Sequence, residues 1–91
     1  MKNAVIISRH RGAIDWLAQQ GITGTVVAHA TKDDVLGKDV VGNLPLDLAA
    51  LANTVTSILM TVPADMRGKD LTADDMVKMG ARLQMFKVTA L

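Results

Sequence analysis

Four short apolar runs, each stopped by a polar or turn-forming residue, constrain this chain more than any other feature: Ala4–Ile7, Thr25–Ala28, Asp39–Val41 and Val55–Met60. Runs that are β-branched or continuously apolar and bounded by turn residues suit buried strands. Between them the pattern turns helical. Gly12–Gln20 carries Ala13, Ile14, Trp16, Leu17 and Ala18 and stops at Gly21, a residue suited to the left-handed position after a helix. Pro45–Ala52 opens with a proline fit for a first helical turn, sets Asp47 near the positive end and fades at Asn53. Thr72–Met79 begins Thr-Ala-Asp-Asp, so Thr72 can cap while Asp75 reaches back, and Gly80 ends it. Ala81–Val88 sets Ala81, Leu83 and Met85 against Arg82 and Gln84, the alternation of an edge strand. This order predicts an α/β fold with a mainly parallel sheet and flanking helices on both faces.

The length of 91 residues allows one core, hence a single domain over residues 1–91. A body this small has a radius of gyration of roughly 12 Å and buries only about 60–65% of its unfolded surface. It can hardly surround a ligand, and a homodimer would relieve both limits. With one Trp, one Phe and no Tyr, the core must come from Ala, Val, Leu, Ile and the six Met. Met60, Met66, Met76, Met79 and Met85 therefore read as core filler, and Trp16 as core rather than a stacking platform. The absence of Cys removes disulfides, thiolate zinc sites and a cysteine nucleophile. A net charge of +1 argues against a long nucleic acid as partner. The longest apolar stretch, Leu48–Ala52, is far below the roughly 20 residues of a membrane span. Met1–Ile7 lacks the apolar length of a signal peptide, so a cytoplasmic protein with no membrane partner is the expectation.

In open parallel sheets, ligands bind outside the carboxyl ends of the strands, near helix N-termini. The densest polar cluster, Ser8-Arg9-His10-Arg11-Gly12, falls there, after the first strand. Arg presents a planar fork of donors to phosphate oxygens, and the helix start adds free N–H groups. His, with an unperturbed pKa of about 6.5, suits proton transfer near neutral pH. Together they describe an anion site with an acid/base group, set against the plainer reading of a solvated basic loop with a capping Ser. Gly42-Asn43-Leu44-Pro45 takes the same place after the third strand, where Gly permits close backbone approach and Asn offers donor and acceptor. A simple turn and helix start explains it equally well. Arg67 and Lys69 flank Gly68 in a charged loop that can grip phosphate, although such loops are more often plain surface.

His29, at the end of the second strand, reads as structural; with only His10 and His29 and no Asp at ligand spacing, a transition-metal site is not expected. No G-x-G-x-x-G or G-x-x-x-x-G-K-[ST] occurs, so neither dinucleotide nor Walker-type triphosphate binding is supported, and no cofactor is expected.

Ser8-Arg9-His10 with Gly12-Ala13 and Trp16, Val40–Pro45 with Leu48-Ala49, Pro63 with Arg67-Gly68-Lys69 and Leu71, and Gly80–Leu83 follow one another in order along nearly the whole chain. This set is similar to the Csx-sixteen family of small accessory proteins of type III CRISPR systems. The aliphatic strand Val55–Val62 departs from that pattern, where relatives are expected to carry aromatic residues and a His. The resemblance implies a small Rossmann-like fold, akin to the CRISPR-associated nucleotide-binding domains, acting as a homodimer. It implies a ring nuclease that opens cyclic oligoadenylate, with cyclic tetra-adenylate the expected ligand. On that reading His10 is the general acid or base, Arg9 and the amides around Gly12 hold the phosphate, and Ser8 orients ribose or phosphate. Arg11, Gly42, Asn43, Leu44, Arg67 and Lys69 then bind the rest of the ring, with no metal. Two other readings stand beside it: a non-catalytic sponge or sensor, and a structural CRISPR subunit docking through Ala81–Val88.

Overall fold

In the computed structural model, which describes residues 4–91, five strands form one sheet in the order β2-β1-β3-β4-β5. The strands are β1 (Ala4–Ile7), β2 (Gly24–Val27), β3 (Asp39–Gly42), β4 (Thr54–Leu59) and β5 (Arg82–Phe86). The first four run parallel, and β5 lies antiparallel to β4 along one edge. The helices are α1 (Arg11–Gln19), α2 (Lys32–Val35), α3 (Leu46–Ala49) and α4 (Ala73–Lys78), with a 3-10 turn at Ala64–Met66. This is a small α/β domain of Rossmann-like plan, with a radius of gyration of 13.0 Å. Met1–Asn3, part of the segment weighed as a signal peptide, lie outside the described residues.

Strand alternation splits the apolar residues between two cores. Ala4, Ile6 and Val41 face one side of the sheet, where they meet Trp16 and Leu17 of α1 and Met76 of α4. Val5, Val40 and Val55 face the other, against Val35 of α2 and Ala49 of α3. Leu17 is 1% exposed and Val35, Val40 and Val41 are fully buried. Each such side chain contributes about 1.5–3 kcal/mol relative to exposure. Trp16 is core, as its position on α1 predicts. The methionine expectation divides: Met76 is buried, whereas Met85 is 57% exposed on β5.

Three expectations need correction. A helix, α2, lies between β2 and β3 where the sequence pattern shows none. It is a single turn, too short to display periodicity, and a capping box between Thr31 and Asp34 sets it. The helix expected over Pro45–Ala52 contracts to Leu46–Ala49, with Pro45 as its extended N-cap. β2 is not buried on both faces; it is the outer strand, and Val26 is 46% exposed. At the opposite edge β5 leaves Met85 and Phe86 open to solvent.

Thr56 of β4 is the exception to polar satisfaction: it is 3% exposed, and its Oγ1 finds no partner among the described residues. A hydroxyl buried this way costs about 1–3 kcal/mol.

Candidate functional site

The sheet order reverses direction between β1 and β3: the chain leaves β1 outward to β2 and then crosses back to β3. At such a switch point the loops after the two strands part and open a crevice. Here these are the Ser8–His10 segment after β1 and the segment that begins at Asn43 after β3, whose last residue is Gly42. Gly42 has φ +132°, and a Cβ there would come within 2.5 Å of the Ile7 carbonyl oxygen. The two strands therefore stay tightly paired to the very floor of the crevice.

After Ile7 the Ser8 amide still donates to Val27 at 3.1 Å, holding the chain to β2 for one more residue. The Ser8 hydroxyl then accepts the His10 amide at 3.1 Å, closing a short turn that aims the chain into α1. His10 is the extended N-cap of α1 and makes no side-chain cap. The first amide bonded in the helical sense is that of Ile14, to His10 at 3.2 Å. The amides of Arg11, Gly12 and Ala13 are thus left without protein partners among the described residues, as helix starts require. They provide donors and the positive end of the helix dipole beside Arg9 and His10.

Between these loops lies a cleft of about 470 Å³. Ser8, Arg9, His10, Asn43 and Lys69 provide its polar lining, and the rest is apolar. None of the nine Asp residues lines it. The rim therefore carries two cationic side chains and a histidine with no carboxylate in the cleft lining itself, and Asp70 stands just outside it beside His10. That electrostatic setting suits an anion. Asn43 is held from below by the Ser57 hydroxyl, which donates to its Oδ1 at 3.3 Å.

The fold thus brings Ser8, Arg9, His10, Gly42, Asn43 and Lys69 together, although they come from three separate loops. It places the other candidates elsewhere. Arg11 turns along the surface of α1 and pairs with Asp15, Nε to Oδ1 at 3.0 Å. Gly12 lies against α4, where a Cβ would collide with the Leu71 carbonyl, so its missing side chain serves helix packing. Leu44 packs into the core on the far side of the sheet. Arg67 is exposed and does not line the cleft. His29 is exposed and likewise outside it.

Two features escape a reading of the sequence. One is Asp70, whose Oδ1 lies 4.0 Å from His10 Nδ1 across a second, shallower depression where α1 and α4 begin. The other is the apolar floor, to which the supposed filler residues Met60 and Met76 both contribute. The only signal of the first is that Asp70 directly follows Lys69. The second leaves no local mark, since core and cleft floor use the same side chains. Among the described residues no three His or Asp side chains converge as a metal site would require.

No curated protein and no solved structure matches the chain. A family model does, and its match covers residues 5–89, which takes in the crevice loops, the described helices and both cores except Ala4. The chain belongs to the family described as "Putative CRISPR-associated protein (Cas_VVA1548)".

Proposed function

We propose that this protein is a ring nuclease that opens a cyclic oligoadenylate, with cyclic tetra-adenylate as its ligand, and so ends type III CRISPR signalling. The observation that carries the reading is the convergence of Arg9, His10 and Lys69 on a switch-point cleft whose own lining holds no carboxylate. Membership in a CRISPR-associated family supplies the setting.

The chemistry asks little of the protein. In the ring each ribose 2′-hydroxyl stands beside its own 3′-phosphate. Attack by that oxygen on phosphorus forms a 2′,3′-cyclic phosphate and expels the 5′-oxygen of the next unit. The 2′-hydroxyl gives up one proton and the 5′-oxygen takes one up, so no water is consumed. What remains is alignment, charge stabilisation and proton transfer. Arg9 and the free amides of α1 hold the phosphate, His10 transfers a proton, and Ser8 orients the reacting unit. Because the nucleophile belongs to the substrate, this route needs no metal-activated water. Two copies of the chain in an isologous dimer would meet the symmetry of the ring with two identical sites.

Incubating pure protein with cyclic tetra-adenylate in EDTA, followed by mass spectrometry, tests this reading. Linear di-adenylate ending in cyclic phosphate is the expected product. An intact ring retained by the protein makes it a sponge or sensor instead. An intact ring left unbound overturns the reading and favours a structural subunit, with the open β5 edge as its contact.

A further inference from the structure

The cleft has two chemically distinct levels. Arg9, His10 and Lys69 stand at its mouth, and Ala13, whose amide is uncommitted, joins the lining from the start of α1. Beneath them, half-buried Ile58, Met60 and Leu71 form the walls, and Leu17, Val41 and Met76 close the bottom. At this lower level only half-buried Ser8 adds a hydrogen-bonding side chain, and its hydroxyl already accepts the His10 amide. A phosphate has no reason to enter it, and water gains little there. It calls for a flat or apolar body attached to an anion. Thioethers and branched aliphatic groups pack well against a heteroaromatic face, and this site has no aromatic residue to compete for that contact. Asn43 stands at the mouth as the one amide side chain, its Oδ1 engaged by Ser57 and its Nδ2 without a partner among the described residues. A donor at that height suits a ring nitrogen of a base entering the well.

Size sets the stoichiometry. A volume of about 470 Å³ lies at the low end of pockets that enclose a small organic ligand. It has room for one nucleotide and not for a whole ring.

We infer that the apolar well receives a single nucleobase, so that each chain grips one nucleotide unit with its base down and its phosphate at the rim. The inference rests on the cyclic-oligonucleotide reading and sharpens it: affinity comes from burying the base, and the phosphate contacts then position the bond to be broken. Base identity is read at the mouth by Asn43, while the well itself selects by shape.

Methionine-methyl NMR on the full chain tests this directly. Titration with AMP should shift the methyls of Met60 and Met76 and saturate at one AMP per chain, leaving that of Met85 on β5 unmoved. Ribose 5-phosphate, which lacks the base, should perturb the amides at the start of α1, bind at least tenfold more weakly than AMP, and leave both methyls in place. The inference is overturned if AMP does not move Met60 and Met76, or if ribose 5-phosphate binds as tightly as AMP. Ring cleavage without those shifts would sink the base well while sparing the nuclease. Shifts with AMP in a protein that neither binds nor cuts a ring would do the reverse.

Discussion

The carbonyl of Leu71 occupies the space where a side chain on Gly12 would have to begin. Through this contact the starts of α1 and α4 meet backbone to backbone, and the Lys69–Asp70 segment arrives beside His10. A residue chosen from the sequence as a phosphate contact thus also sets the geometry of the mouth.

Gly12→Ala should therefore destabilise the protein, against the usual direction in a helix. Alanine gains about 1 kcal/mol in helix propensity. Overpacking costs about 1–3 kcal/mol, toward the upper end when the obstacle is backbone. A net loss of about 1–2 kcal/mol in urea unfolding is expected. Equal or greater stability would show that the two helix starts can part freely.

Thr56→Val should act in the opposite sense. The substitution keeps the shape and removes a buried hydroxyl that finds no partner among the described residues. Unfolding free energy should rise by about 1 kcal/mol. A fall would mean that the hydroxyl is satisfied in solution, for instance by a trapped water.

The proposed function gives the cleft residues separable roles. His10→Ala should lower ring cleavage by about 10²–10⁴-fold with little change in ring binding, the mark of a lost proton transfer. Arg9→Ala and Lys69→Ala should instead weaken ring binding, each by about tenfold or more, as charge-assisted contacts are lost. Arg67→Ala, outside the cleft, is the control and should change both far less. Single-turnover rates and ring-binding titrations measure the two effects separately. Undiminished turnover in His10→Ala would remove it from the mechanism.

Acid should weaken the fold through three carboxylates. The backbone amide and hydroxyl of Thr31 lower the pKa of Asp34. The Asn53 amide and the Thr54 hydroxyl do so for Asp39, and the Thr72 amide for Asp75. Each group binds its proton less readily folded than unfolded, where the value is 3.8. Their stabilisation is complete above the unfolded value and is lost as pH falls through the lowered folded values. Unfolding midpoints followed from about pH 5 down to pH 2 should drop. The drop should be shallower in the triple variant Asp34→Asn, Asp39→Asn, Asp75→Asn. An unchanged slope would show that these hydrogen bonds do not bias protonation.

The sequence by itself determined the elements whose causes are local. Apolar runs cut by turn residues made the strands, Gly21 ended α1, and the Thr72–Asp75 box started α4. It also placed Ser8, Arg9 and His10 at the end of a strand, where an α/β fold puts ligands. A one-turn helix such as α2 has too few residues for a periodic signal, so only its capping box marked it. The tertiary structure decided the rest, because strand order and helix contact join residues distant in sequence. It sent Leu44 into the far core, paired Arg11 with Asp15, and exposed Met85 at the edge of the sheet. It also carried Lys69 to the rim and set Met60 and Met76 under it. Hydrophobicity tells a side chain to leave water, but not whether it becomes the inside of a core or the floor of a cleft. That depends on what packs above it, and here the switch between β1 and β3 left the space open.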